Sequence, residues 1–260
     1  MTDRPKHILL LAGTIEARQL AIKLAEVFPE HRLTPSFAGV VKELPDLGVP
    51  VRVGGFGGSE GLARYCQEEA VSLIIDATHP YAVQMSQHAS TAAASLALPL
   101  LHLERPAWQP SKVDIWQTVS SISDAASELP QGARVLLAIG RKEIGKFSHR
   151  SDIFALVRTI ESPDCQLPEH WNLISGRPPI TVSDEVQLIE KYGVTHLVTK
   201  NSGGERSFAK IAAARQLGLK VIMIDRPTLP PGHSATSIEA ALRETDLLLN
   251  QDCRQPVQDD

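Results

Sequence analysis

Short apolar runs and amphipathic segments alternate along the whole of the 260-residue chain. Nearly continuous apolar runs predict buried strands, because a strand that is covered on both faces has no polar face to alternate with. Segments with apolar residues at i, i+3 and i+4 predict helices that pack on such strands by one face. The first strand is predicted at His7–Gly13. Thr14 is then placed to cap a helix that carries Ala17 and Leu20 on one face.

The same alternation continues in both halves and predicts an α/β fold, with parallel sheets flanked by helices on both faces. Further strands are predicted at Leu33–Gly39, Val49–Gly54, Ser72–Thr78, Leu100–Glu104, Trp116–Ile122, Val135–Gly140, Ile153–Ile160, His196–Lys200 and Lys220–Asp225. Further helices are predicted at Ser59–Ala70, Tyr81–Leu96, from Ser123, at Val182–Tyr192, Phe208–Leu217 and Ile238–Leu249.

One break interrupts the alternation at Arg105–Lys112, which contains two prolines and no periodicity. Proline disrupts both helices and strand ladders, so this segment is the predicted linker between two domains. The first domain is expected at residues 1–107 and the second at 108–250, followed by a frayed polar tail at 251–260. Trp108 is expected to pack between the domains, and the alternative is that its ring stacks on a ligand.

Composition excludes several classes of protein. A net charge of −4 and a pI near 6.1 give no overall attraction to nucleic acid or to an anionic membrane. No apolar run approaches the roughly 20 residues that span a bilayer. The three cysteines are far apart, odd in number and form no CxxC pair, which argues against a disulfide framework or a zinc site. We therefore expect a cytoplasmic protein without a bound metal. The oligomeric state, monomer or homodimer, is not decided by the sequence.

Ligands of parallel α/β sheets bind at the carboxyl ends of the strands. One such end carries the glycine-rich run Gly54–Gly58 (GGFGG), which would let backbone N–H groups approach a phosphate just before a helix begins. The alternative is a tight turn that merely needs positive φ angles. Candidate cofactor contacts at the strand ends are Gly13, Thr14, Ser36, Gly39, Gly54, Gly55, Phe56, Gly57, Gly58 and Thr78.

The second predicted strand ends without the acidic residue that usually binds the ribose of NAD. Ser36 and Lys42 are present instead, which favours NADPH over NADH unless the cofactor lies in another pose. Glu16 falls in the first turn of the first helix and competes with a phosphate for its N-terminus. The pyrophosphate is therefore expected to bind partly elsewhere.

His79 follows the fourth strand in the run Asp76–Tyr81 (DATHPY). An imidazole at this position can donate a proton near neutral pH. The alternative is a structural role, in which His79 orients the turn through hydrogen bonds to Asp76 or to the backbone. Asp76 is accordingly a candidate orienting residue, and both readings stay open.

A second set of strand ends is rich in cations and small polar residues that suit an anionic substrate. The alternative for each cation is an ordinary solvated surface charge. The candidate substrate contacts are His79, Arg105, Arg141, Lys200, Asn201, Ser202, Gly203 and Gly204, with Lys142, Arg177 and Lys210 as further cations.

These motifs occur together in an order that resembles the precorrin-6A reductase family, including its cobalt-precorrin-6A branch. The motifs that carry the resemblance are GGFGG at 54–58, DATHPY at 76–81, ERPAW at 104–108, TKNSGG at 199–204, Ala212–Arg215 and Arg226–Pro227. The resemblance spans nearly the whole chain, from Gly13 to Pro227. One departure is Arg177–Thr181 (RPPIT), where the family often has Gly-Pro-Phe-Ser before a helix.

The resemblance implies two Rossmann-like domains with NADPH, or NADH, in the cleft between them. It implies hydride transfer to one double bond of the precorrin-6A macrocycle, with or without cobalt, to give precorrin-6B in cobalamin biosynthesis. The many carboxylates of such a tetrapyrrole would give the strand-end cations a purpose. The alternatives are a nicotinamide-dependent reductase of another conjugated heterocycle and a non-catalytic module that senses a nucleotide.

Overall fold

The computed structural model describes residues 4–37, 39, 46–176, 178–179 and 181–250. Lys42, Arg177 and the predicted tail at 251–260 lie outside the described residues. The chain divides into two units: residues up to Arg105 and from Pro227 onward form the first, and Pro106–Arg226 forms the second.

Strands and helices alternate in both units, with a 3₁₀ helix at Arg141–Phe147 as an addition. In chain order the elements are β1 (His7–Ala12), α1 (Ile15–Val27), β2 (Arg32–Phe37), β3 (Arg52–Val53), α2 (Gly58–Glu68), β4 (Leu73–Asp76), α3 (Val83–Ser95), β5 (Leu100–Leu103), β6 (Ile115–Val119), α4 (Ile122–Ser127), β7 (Arg134–Ala138), β8 (Phe154–Thr159), β9 (Asn172–Ser175), α5 (Val182–Lys191), β10 (His196–Lys200), α6 (Ala209–Gln216), β11 (Lys220–Ile224), β12 (His233–Ala235) and α7 (Ile238–Leu249).

The first unit is built on a six-stranded sheet in the order β12-β5-β4-β1-β2-β3, with every neighbouring pair parallel. Read from β3, this is the Rossmann order, in which the direction of winding reverses between β1 and β4. Apolar side chains of β1 and β4 on one face of this sheet pack with α1 and α7, while those on the other face pack with α2 and α3. The crevice for a ligand is expected outside the carboxyl ends of β1 and β4.

The second unit repeats this plan with the order β6-β11-β10-β7-β8-β9, again entirely parallel. Here the winding reverses between β7 and β10. The predicted α/β class with two Rossmann-like sheets is therefore confirmed. None of the described helices is long and apolar enough to cross a membrane.

The predicted extent of the second domain, 108–250, is wrong at its C-terminal end. Residues from Pro227 onward return to the first unit, where β12 pairs with β5 and Ala241 and Leu248 of α7 join the core beside α1. The amphipathic pattern of α7 required an apolar surface to cover it, and the first sheet supplies that surface. The strand β12 was missed because its short run, His-Ser-Ala, carries no apolar pattern.

The predicted linker is also anchored more firmly than its prolines indicated. Trp108 is 8 % exposed and belongs to the hydrophobic core of the second unit. Its indole N–H donates to the Gly204 carbonyl at 3.0 Å, and its ring packs edge-on against Phe208. The expected role of Trp108 between the domains is thus replaced by a role inside one of them.

Candidate functional site

Two loops meet where the winding of the first sheet reverses. Thr14 caps α1 as predicted, because its hydroxyl oxygen accepts the Ala17 N–H at 3.0 Å. The same hydroxyl donates to the carbonyl of Ala77, directly after β4, at 3.0 Å. A Cβ on Gly13 would have no heavy atom within 4 Å, so the backbone here is open to a ligand. A hydrogen bond therefore joins the two loops at the base of the crevice. The backbone at Gly13 is left accessible to a ligand.

Glu16 and Arg105 form an ion pair at the same edge, with 2.6 Å between Oε2 and Nη1. Both side chains, together with Thr14 and Thr78, line a small cavity beside the first turn of α1. The positive end of α1 thus already faces a carboxylate, and Arg105 already has an acidic partner. Where a pyrophosphate would bind stays a prediction.

The glycine-rich loop before α2 offers a second approach to the backbone. Gly54, Gly57 and Gly58 have φ angles of 114°, 81° and 94°, which side chains rarely adopt. Built Cβ atoms on these residues and on Gly55 would meet nothing within 4 Å. Gly57 is the N-cap of α2 and supplies no side-chain hydrogen bond. The loop therefore has the positive φ angles of a tight turn and, at the same time, open space beside the N-terminus of a helix.

Gly61, which the sequence analysis did not single out, keeps this loop in place. A Cβ on Gly61 would lie 1.7 Å from the carbonyl oxygen of Phe56. The first turn of α2 and the loop therefore pack backbone against backbone. Glycine is the only residue that permits this contact.

Arg52 is a second residue that the sequence analysis missed. Its guanidinium donates to the carbonyl of Gly54 at 2.5 Å, to that of Gly55 at 2.8 Å and to the Ser36 hydroxyl at 3.2 Å. It also stacks on Phe56, with 3.7 Å from Cζ to the ring centroid. The guanidinium of Arg52 therefore holds the glycine-rich loop in place through hydrogen bonds and ring stacking. Gly39, beyond β2, has a φ angle of 84°, and a Cβ built on it would meet no atom of the described residues within 4 Å.

Asp76 is the centre of a buried hydrogen-bond network in the first unit. Its Oδ1 accepts the backbone N–H and hydroxyl of Thr78 at 3.1 and 2.7 Å. Its Oδ2 accepts the Ser86 hydroxyl at 2.6 Å and lies 3.3 Å from Nδ1 of His102. These hydrogen bonds connect Asp76 to Thr78 and to the start of α3, and its role in orienting His79 stays a prediction.

The environment also decides the charge of Asp76. Burial alone raises the pKa of this carboxyl, but the hydrogen bonds from His102, Ser86 and Thr78 together lower the pKa below its ordinary value of 3.8. Asp76 is therefore ionised at neutral pH inside the first unit, where it accepts hydrogen bonds and donates none.

His79 lies on the exposed side of this network. Its Nδ1 accepts the Tyr81 backbone N–H at 3.3 Å, and its ring lies 5.7 Å from the Tyr81 ring. His79, Thr78 and Asp76 line one cavity. The position leaves both a turn-orienting and a proton-donating role open.

In the second unit, the residues of the turn after β10 make hydrogen bonds and close contacts with Pro106 and Trp108. The Asn201 amide accepts the Trp108 N–H at 2.9 Å and donates to the Trp108 carbonyl at 3.0 Å. A Cβ on Gly203 would lie 2.3 Å from the Pro106 carbonyl oxygen. Ser202 is buried, and the Gly204 carbonyl accepts a hydrogen bond from the indole N–H of Trp108. This turn therefore holds the segment that enters the second unit.

Two of the remaining predicted substrate cations, Arg141 and Lys200, have acidic neighbours. Arg141 lies 3.3 Å from both Glu161 and Asp164, and Lys200 lies 3.8 Å from Glu143. Burial lowers the pKa of Lys200, and Glu143 opposes this shift. Lys210 is buried over the ring of Trp108, with 4.7 Å from Nζ to the ring centroid. Among the described residues, no group of three or more His, Cys, Asp or Glu side chains could hold a metal ion.

Comparison with known proteins agrees with these motifs. The family model of the precorrin-6x reductases CbiJ/CobK matches residues 7–246. The chain is 44 % identical over 227 residues to a precorrin-6A reductase of Rhodococcus erythropolis, which covers 86 % of this chain and 91 % of that protein. It is 43 % identical over 232 residues to a precorrin-6A reductase of Mycobacterium tuberculosis, covering 88 % and 92 %.

A solved structure of CobK precorrin-6A reductase superposes with a TM-score of 0.86 at 38 % identity, covering 94 % of this chain and 97 % of that one. The family model and the relatives cover most of the chain, so the match includes both units rather than one nucleotide-binding module. The chain belongs to the precorrin-6x reductase family.

Proposed function

We propose that this protein reduces one double bond of the precorrin-6A macrocycle, or of its cobalt form, with a nicotinamide cofactor to give precorrin-6B. NADPH is the expected cofactor. The observation that carries the proposal is the open glycine-rich edge of the first sheet, at the strand ends where Rossmann-order sheets bind dinucleotides. The family membership of the chain supplies the substrate class.

The residues present fit a dinucleotide. Backbone N–H groups at the start of α2 would hold phosphate oxygens, since no side chain caps this helix. Thr14 and Thr78 line the cavity at the crevice, and their loops are held by hydrogen bonds to Ala77 and Asp76. The nicotinamide supplies the hydride when bound. The protein contributes orientation, which can lower a barrier by about 7–11 kcal/mol when two reactants are well aligned.

In the first unit, Arg105 would bind a carboxylate of the substrate by exchanging with Glu16. In the second unit, Arg141 and Lys200 are separate candidates for the same kind of exchange with their acidic neighbours. A charge-assisted hydrogen bond is worth about 1.5–3 kcal/mol. Several such bonds can hold a large anion on a protein whose net charge is −4.

We expect anaerobic mixing with precorrin-6A to oxidise NADPH and to change the absorption spectrum of the macrocycle. Parallel assays with the cobalt form identify the preferred substrate, and calorimetric titration is expected to show tighter binding of NADPH than of NADH. Nucleotide binding without turnover of either macrocycle would instead favour the sensing module. Turnover of an unrelated conjugated heterocycle alone would favour the other reductase.

We expect His79→Ala to lower kcat by less than the ~10²-fold that loss of a general acid costs. The reduced ring can take its proton from water, and His79 is exposed with a backbone hydrogen bond of its own. Steady-state kinetics of His79→Ala and of Gly57→Val provide the comparison. The second change forces a side chain into a φ angle of 81° in the glycine-rich loop. A hundredfold loss of kcat with unchanged KM in His79→Ala would make His79 the proton donor.

A further inference from the structure

Ser36 and Arg52 are register partners at the carboxyl ends of β2 and β3. In sheets of this strand order, the end of the second strand faces the adenosine ribose of a bound dinucleotide. A carboxylate there binds the 2′-hydroxyl of NAD, and an arginine nearby accommodates the 2′-phosphate of NADP. This chain has a buried serine, 4 % exposed, and a half-buried arginine at the two positions.

The positive charge of Arg52 is not balanced by an acid in the described part of the chain. Its hydrogen-bond partners are two carbonyls and one hydroxyl, all of them neutral. Two other arginines of the first unit do pair with carboxylates, Arg32 with Glu69 at 2.7 Å and Arg105 with Glu16 at 2.6 Å. A cation at a strand end with neutral partners favours an anionic ligand beside it.

The guanidinium of Arg52 is also held in one orientation by its neighbours. The described residues do not use all of its N–H donors. Its plane is fixed by the ring of Phe56, at 3.7 Å, and by the carbonyls of Gly54 and Gly55. Of the roughly five N–H donors of an arginine, the described residues accept from the Nη1 group and from one Nη2 hydrogen. With respect to these residues, Nε–H and the other Nη2 hydrogen are available for two bonds to a phosphate. The Ser36 hydroxyl accepts from Arg52 and keeps its own proton for donation.

We propose that Arg52, assisted by Ser36, selects NADPH over NADH by binding the 2′-phosphate of the adenosine ribose. The inference rests on the proposed use of a nicotinamide cofactor and adds the residue that decides which cofactor is used. Arg52 holds the glycine loop as well, so the same side chain joins the phosphate cradle to the 2′-phosphate site.

The test is a set of calorimetric titrations with NADPH, NADH, 2′,5′-ADP and 5′-AMP. The wild-type protein is expected to prefer NADPH and 2′,5′-ADP. Arg52→Met is expected to bind both of these at least about tenfold more weakly, while its affinity for NADH and 5′-AMP falls much less. Arg52→Lys keeps the charge and should retain part of the preference. Arg64→Met, which removes the same charge from the exposed side of α2, is the matched control and should bind like the wild type.

A second variant tests the site by reversal. Ser36→Asp places a carboxylate beside Arg52, which should weaken NADPH binding and shift the preference toward NADH. An equal loss of affinity for all four ligands in Arg52→Met would show that Arg52 only holds the loop, and would overturn the proposal. So would a wild-type protein that binds NADPH and NADH equally well.

The failure of this inference can be told apart from a failure of the proposed function. A wild-type protein that binds neither dinucleotide contradicts both. A normal wild-type preference for NADPH that survives in Arg52→Met contradicts the role of Arg52 alone and leaves the reductase proposal standing.

Discussion

Replacing Gly61 with alanine is expected to destabilise the protein and to lower turnover strongly, although helix propensity predicts the opposite. Alanine inside a helix is normally about 1 kcal/mol more favourable than glycine. Here its Cβ would lie 1.7 Å from the Phe56 carbonyl oxygen, so the loop or the first turn of α2 must move. We expect a loss of about 1–3 kcal/mol in the free energy of unfolding, the usual cost of overpacking.

The loss of function should exceed the loss of stability. A displacement of about 1 Å in a positioning element can cost about 10²-fold in rate, and the loop that moves is the proposed phosphate cradle. Denaturant unfolding and steady-state kinetics measure the two effects separately. Gly55→Ala is the matched control, because a Cβ there meets nothing within 4 Å and the stability should not change. A Gly61→Ala variant that is more stable than the wild type would contradict the packing described here.

Replacing Asp76 with alanine is expected to cost about 3–5 kcal/mol, a large part of the ~5–15 kcal/mol by which a domain is stable. The change removes the acceptor for Thr78, Ser86 and His102 at once, and each buried donor left without a partner costs about 1–3 kcal/mol. Asp76→Asn keeps the shape and one acceptor oxygen, so it should lose less. A cost below about 1 kcal/mol for alanine would show that water replaces the carboxylate.

The same carboxylate predicts a dependence of stability on pH. Since the folded state lowers the pKa of Asp76 below 3.8, its contribution is fully present above that value and is lost as the pH falls through the lowered pKa. The wild type should therefore lose stability in acid more steeply than Asp76→Asn, whose side chain does not titrate. Denaturant unfolding of both proteins at a series of pH values between about 7 and 3 measures the difference. Parallel curves would contradict an ionised Asp76.

The sequence by itself determined the fold class and several elements to the residue. The strand His196–Lys200 and the helix Ile238–Leu249 lie at their predicted bounds, and Thr14 is the predicted cap. Local patterns suffice for such elements because apolar periodicity reports how much of a segment must be buried. The motif order from Gly54 to Pro227 likewise indicated the family before any contact was known.

Only the tertiary structure decided which surface each element covers and which partner each polar group has. The pattern of α7 required burial but could not show that the helix returns to the first unit. Asp76 binds His102, 26 residues away, and Asn201 holds Trp108, 93 residues away. Arg52 lies between hydrophobic positions with no motif around it, and it reaches the glycine loop only because β3 pairs with β2. Hydrogen-bond partners and close backbone contacts depend on distances across the folded chain, which the order of residues does not contain.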